Sequence, residues 1–326
     1  MSLSLKRVFL YISVSMAVAI SVFVALIITY FHQPGPLIDK KVLVLEKGQG
    51  VHGISQQMAD AGIIDNPLWF ELHMRLRGLS GQIRAGEYAV LPGMTPAQVA
   101  DLLVSGLQVQ HPFTVPEGFR SKDVVALLYN ETHLDTREMP VFREGEVLPE
   151  TYNYIRNESA NVLILRMKKA MQEALNKIWV QKSEDFVLAS KDELLVLASI
   201  VEKETGLASE RPMVAAVFLN RLKIGMPLQS DPTVLYGLMA EQGIDKQILS
   251  KADLKIATSY NTYMITGLPP APICNPGISS LEAVIHPAET KALYFVADGT
   301  GGHVFSETYE EHKKNHQKWR AIRDKS

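Results

Sequence analysis

Apolar and polar positions divide this chain into three regimes. Val8 to Phe31 is an uninterrupted run of 24 residues without a charge. At about 1.5 Å rise per residue, such a helix spans a hydrocarbon core of roughly 30 Å with some tilt. His32 to Asp39, with two prolines and a glycine, has the composition of a linker. A repeated pattern follows. Gly48 is followed six and ten residues later by Ile54 and Met58, Gly93 by Val99 and Leu103, and Gly118 by Val124 and Leu128. A short strand-like run precedes each glycine: Val42–Leu45, Tyr88–Leu91 and Phe113–Val115. The unit reads as a strand, a glycine turn and an amphipathic helix whose apolar residues, four apart, pack back on the strand. Thr95-Pro96 predicts one helix start, with the threonine as N-cap, and Ser121 predicts another. The first two copies, about 45 residues apart, are expected to pair as a small α+β module.

The third regime is helical. Ser190-Lys191-Asp192-Glu193 has the form of a capping box, with Ser190 as N-cap. Leu194, Leu197, Ala198 and Val201 then recur at helical spacing, and Gly206 marks the expected stop. Near its end Glu202 and Glu204 lie on opposite flanks of the apolar stripe, with Lys203 toward solvent. A carboxyl against apolar walls has a raised pKa and can act as a general acid near neutral pH. Periodicity alone leaves either glutamate, or an exposed helix end, as the reading.

Composition narrows the classes. The 326 residues carry 33 basic and 35 acidic side chains, a net charge of −2, so no overall field attracts nucleic acid. The lone cysteine, Cys274, excludes an intramolecular disulfide framework and a multi-cysteine zinc site, and is read as inert. A cleaved signal peptide would have an apolar region of only about 7–15 residues and a small-x-small cleavage site. This run is longer and ends in Ile28-Thr29-Tyr30-Phe31, so it is read as an uncleaved anchor. Lys6 and Arg7 before it, against Lys40 and Lys41 beyond it, give a modest preference for an inside N-terminus. His312 and His316 share a helix face, but the segment lacks the glutamate of H-E-x-x-H and a third ligand. That pair is read as a solvated face, with a tethered metalloprotease as a rival. His303, after Gly301-Gly302, is read as structural or substrate-side.

The strand–turn–helix units resemble the LysM module, which grips N-acetylglucosamine-containing glycans in many proteins; a bland spacer is the alternative. A longer resemblance covers the chain from the anchor to its C-terminus. Ala198-Ser199-Ile200-Val201-Glu202-Lys203-Glu204-Thr205 resembles the active-site helix of the MltG (YceG-like) family of endolytic murein transglycosylases. Other stretches match in chain order: Leu148–Tyr152 before that helix, then Phe218–Leu222, Gly225–Val234, Ser259–Tyr263, Gly267–Pro270, His286–Ala288 and Gly301–Phe305. Glu150 stands where the family often has aspartate.

The resemblance implies an α+β protein with an N-terminal transmembrane helix, a LysM-like module and a mixed α/β catalytic domain with a lysozyme-like active-site helix. Its boundaries would be a cytoplasmic tail 1–7, a transmembrane helix 8–31, a linker 32–40, the LysM-like domain 41–111 and the YceG-like domain 112–326. The family's acid sits in a Glu-Thr pair, which implies Glu204 beside Thr205, with Glu202 as runner-up. Gln229, Asp231, Tyr260, Asn261 and Thr262 are the expected substrate contacts. A lytic transglycosylase needs one carboxyl, no metal and no cofactor, because the muramic acid C6 hydroxyl is the nucleophile. The implied setting is the bacterial inner membrane with the bulk of the chain outside the cytoplasm, peptidoglycan strands as substrate and peptidoglycan synthases as partners. A catalytically silent glycan-binding scaffold is the competing class.

Overall fold

A computed structural model describes residues 3–323; Met1 and Ser2 of the expected tail lie outside the described residues. The chain separates into two compact units, one of residues 1–111 with 155–157, the other of residues 112–154 and 158–326.

The first unit begins with α1 (Leu3–His32), which holds, within Arg7–His32, an 18-residue window of mean hydropathy 2.5. It is long and apolar enough to cross a membrane. β1 (Lys41–Leu45), α2 (Val51–Asp60), α3 (Pro67–Leu76), β2 (Gly86–Val90) and α4 (Pro96–Ser105) follow. β1 and β2 pair antiparallel, Leu43 opposite Tyr88, so the first two repeat copies do form one ladder. Ile54, Met58, Val99 and Leu103 are all buried beneath it with Phe70, Met74 and Tyr88. The glycines that set the repeat, Gly48, Gly93 and Gly118, have φ of 83°, 77° and 74°. This left-handed backbone favours glycine and reverses the chain from strand into helix. Thr95 caps α4 as expected, accepting from the Gln98 amide at 3.2 Å. The Pro/Gly stretch is tied to the module, since Gly35 N–H donates to the Met94 carbonyl at 3.0 Å.

The second unit holds β3 (His111–Thr114, which starts one residue earlier), α5 (Ser121–Tyr129), β4 (Thr151–Tyr154), α6 (Ala160–Trp179) and α7 (Lys191–Glu204). After these come α8 (Arg211–Lys223), α9 (Asp231–Gln242), α10 (Ile278–Ile285), β5 (Tyr294–Ala297), β6 (His303–Ser306) and α11 (Tyr309–Arg323). β3 pairs with β4 and β5 with β6, so the described strands form three separate two-stranded ladders rather than one sheet. The mixture of helix and sheet agrees with the sequence.

The helix start at Ser121 differs by one residue. Arg120 is the N-cap, with its amide bonded to the Asp123 carboxylate, because the Ser121 amide and hydroxyl both donate to Glu144. At α7, Ser190 caps as expected, but Glu193 reaches back to the Ala189 amide at 2.7 Å. α7 is also buried further round than a single stripe, at Val196, Ser199 and Ile200 besides the expected positions. It lies at the centre of the unit, packed by α6, α8, α9 and α10. A helix apolar nearly all round has to be enclosed this way.

Candidate active site

α7 ends at Glu204 because Thr205 turns into extended backbone at φ −138°, ψ 131°. Gly206 does not provide the left-handed stop expected of it. Instead the Thr205 hydroxyl accepts from Leu207 N–H at 3.1 Å and donates to Glu210 at 3.3 Å, holding the exit of the helix. Glu210 in turn accepts from the His303 amide at 2.8 Å and meets His303 Nδ1 at 2.7 Å. Burial pushes the Glu210 carboxyl up, and the His303 contacts outweigh it and hold it low.

The two neighbouring glutamates have opposite surroundings. The Glu202 side chain is 4% exposed and both its carboxylate oxygens have partners. One oxygen meets Arg211 Nη2 at 2.9 Å; the other accepts from Gly277 N–H at 3.0 Å and the Ser280 hydroxyl at 2.8 Å. Glu202 therefore staples α7 to α8 and α10. Glu204 accepts from the Ser230 hydroxyl. As a residue it is half-buried, since it lines a cleft of about 370 Å³, but its carboxyl end is crowded by protein. That desolvation, reinforced by Asp231, raises its pKa to about 7 against the opposing pull of Ser230, His303 and Arg221.

A strained turn delivers Ser230. Gln229 has a left-handed φ of 51°, uncommon for a residue with a Cβ. Its amide donates to the Thr262 carbonyl at 3.0 Å, and the Ser230 amide donates to the Thr262 hydroxyl oxygen at 2.9 Å. Thr233 closes the knot through its hydroxyl, 2.8 Å from that of Thr262 and 2.6 Å from the Ser230 carbonyl. Strain of this kind persists only where surrounding contacts over-determine it.

The sequence-selected residues thus separate. Gln229 and Asp231 line the cleft with Glu204, and Asp231 accepts from the Tyr263 hydroxyl at 2.7 Å. Thr262 is buried behind the turn it fixes. Asn261 is also buried, its amide donating to the Leu254 and Ile256 carbonyls at 3.1 and 2.7 Å. Tyr260 packs edge-on against Tyr236 and borders a different hollow, beside Glu144 and Pro272.

The cleft also holds Arg221, Tyr263, Tyr294, Phe295, Tyr309 and His312, none of them among the five expected contacts. Arg221 donates to the carbonyls of Leu293 at 2.7 Å and Leu228 at 2.6 Å, and lies 5.5 Å from the Tyr294 ring. His312, expected on a solvated face, instead stacks on Tyr294 at 5.2 Å, and its buried Nδ1 has no hydrogen-bond partner among the described residues. Their usable signal was aromatic density in Tyr294-Phe295 and Tyr309, which periodicity cannot direct toward a site.

The cleft therefore offers a carboxyl with a raised pKa, a polar turn and an aromatic wall, a combination suited to a polar ring with apolar faces. Known proteins share this chain's pattern. An endolytic murein transglycosylase of Bacillus subtilis (strain 168) is 33% identical over 316 residues, spanning 86% of each chain. One from Streptococcus pneumoniae serotype 2 (strain D39 / NCTC 7466) is 28% identical over 320 residues, 83% of this chain and 57% of that one. The crystal structure of a yceG-like protein from Listeria monocytogenes superposes with a TM-score of 0.54 at 29% identity, over 85% of this chain and 98% of that chain. Residues 43–318, from β1 into α11, match the profile of the YceG-like family, and the chain belongs to that family.

Proposed function

We propose that this chain is an endolytic peptidoglycan lytic transglycosylase in which Glu204 is the acid. The observation that carries the reading is a glutamate whose desolvated carboxyl has a pKa of about 7, lining a cleft with an aromatic wall. At neutral pH such a group is divided between its acid and base forms, and one reaction cycle uses both. Protonated Glu204 gives its proton to the glycosidic oxygen leaving C1 of N-acetylmuramic acid, and the C1–O bond breaks. The C6 hydroxyl of the same sugar then closes on C1, and the Glu204 carboxylate takes its proton. The products are a free 4-hydroxyl on N-acetylglucosamine and a 1,6-anhydro end, and no water is consumed. The Ser230 hydroxyl steadies the carboxylate between the two transfers, and Gln229, Tyr263 and the aromatic wall hold the sugar. The names of the Bacillus and Streptococcus relatives support the same activity.

In this reading α1 fixes the protein in the bacterial inner membrane with the chain beyond it outside the cytoplasm. Strands emerging near that membrane, and the synthases that extend them, are then within reach. The LysM-like repeat of the first unit is proposed to touch the same glycan. A scaffold without catalysis gives no reason for a carboxyl kept protonatable beside a strained turn.

A hydrolytic second reading has one specific support, since Asp231 lines the same cleft and a glycosidase that uses water needs a second carboxylate. Mass spectrometry of peptidoglycan treated with the protein separates the two. Anhydromuramic ends support the proposal, whereas reducing ends assign hydrolysis and make Asp231 the first candidate for its second carboxylate.

A further inference from the structure

α3 carries apolar residues on two sides. Phe70 and Met74 are fully buried in the first unit. On another side Leu68 is 69% exposed and Leu76 70% exposed, with Leu72 partly covered between them. At about 100° per residue these three leucines and Trp69 fall within one arc of about 100°. A soluble surface has no use for a leucine row at i, i+4, i+8 on a helix already satisfied on its other face.

What adjoins this arc is the transmembrane candidate itself. The Trp69 ring lies 5.8 Å from Phe23 and 5.9 Å from Tyr30 of α1. His73 stacks on Phe31 at 3.8 Å. The Tyr30 hydroxyl accepts from Asn66 N–H at 3.1 Å, at the N-cap of α3. Phe31 is 1% exposed in the core of the first unit, so α1 enters that core without a flexible joint. Counting from Val8, a hydrocarbon core of roughly 30 Å takes up about 20 residues and ends near Ile27. Phe23 then lies about one turn inside it, and Trp69, packed on Phe23, is carried to the depth where tryptophan collects in membranes. Arg75 and Arg77 near the far end of α3 are exposed, as the polar border of such a helix would be.

We propose that α3 is an interfacial helix, whose Leu68–Leu72–Leu76 row and Trp69 are immersed in the acyl–headgroup boundary of the bilayer that α1 crosses. The proposal rests on reading α1 as a membrane anchor. Its occupant is lipid: the row continues a surface already in lipid, and the side chains are those that partition there. The first unit is thereby held flat on the membrane, and the anchor acts as a rigid mount rather than a leash.

The test uses the full chain in vesicles of phosphatidylethanolamine and phosphatidylglycerol, with a nitroxide on a single introduced cysteine; native Cys274 is buried. Ser13→Cys, Leu68→Cys, Leu76→Cys and, as a solvent reference, Gln172→Cys are labelled in turn. Collision with dissolved oxygen is compared with collision with a water-soluble nickel chelate. The expected result is an oxygen-dominated ratio at 13, 68 and 76 and a nickel-dominated one at 172. Oxygen dominance at 13 with nickel dominance at 68 and 76 overturns the interfacial helix and leaves the anchor. Nickel dominance at 13 overturns the anchor reading and the proposal with it.

Discussion

The Ser230 hydroxyl donates to the Glu204 carboxyl, joining the turn before α9 to the last residue of α7. Two elements separate in sequence meet there because α7 is the enclosed centre of the unit and α9 packs on it. The bond favours the ionised carboxyl, whereas burial and Asp231 favour the neutral one, and the balance stands near pH 7.

Glu204→Gln should abolish both proton transfers. A positioned acid–base typically supplies about 10²–10⁴-fold in rate, so anhydromuramic products fall by at least that lower figure. Product counting on purified peptidoglycan, wild type beside variant, checks it; equal activity in the two proteins removes Glu204 from the mechanism.

The pH dependence has a defined sign. The first transfer requires protonated Glu204, so the rate falls as pH rises through about 7. Ser230→Ala removes a donor to the ionised form, so the carboxyl titrates higher and the alkaline limb moves to higher pH. A pH–rate profile of the two proteins reads this directly, and an unmoved or lowered limb would mean that Ser230 does not act through Glu204.

The same group costs stability at alkaline pH. With a native pKa of about 7 against an ordinary value of 4.5, the folded state holds its proton more tightly than the unfolded one. Stability therefore falls as pH rises from about 4.5 to about 7, by up to about 3 kcal/mol at roughly 1.4 kcal/mol per unit. Glu204→Gln has no charge to desolvate, and should melt higher than wild type at pH 8, with most of that gap gone at pH 4.5. Thermal melts at the two pH values test it.

Glu202→Gln should behave in the opposite way. It leaves Arg211 without its partner on α7 and weakens bonds to Gly277 and Ser280. Arg211 keeps Glu117 at 2.9 Å, so the cost stays below the roughly 3–5 kcal/mol of a buried charge left unpaired; melting falls while the alkaline limb of surviving activity stays in place. A displaced limb would return Glu202 to candidacy as the acid.

Much of the local architecture was readable in the chain because its causes are short-range. A glycine with positive φ, a threonine three residues before an amide it can cap, and apolar residues four apart act within one turn of backbone. Gly48, Gly93, Thr95 and Ser190 accordingly do what their neighbours in sequence imply. Ser121 and Gly206 show the limit of that reasoning. Glu144, 23 residues away, takes the Ser121 hydroxyl, and Thr205 ends its helix through Glu210, so tertiary partners displaced the local rule.

Residue order alone accounts for the apolar span of α1, the repeated strand–turn–helix units, the apolar stripe of α7 and the two glutamates at its end. The two glutamates owe their different surroundings to folding alone. They stand two residues apart on one helix, and periodicity treats them alike. Arg211, Gly277 and Ser280 engage both oxygens of Glu202, whereas crowding by protein and the Asp231 charge, working against the Ser230 bond, leave Glu204 desolvated and protonatable. The pKa of a carboxyl is set by charges, donors and solvent within a few ångströms, and those arrive from parts of the chain that only folding brings together.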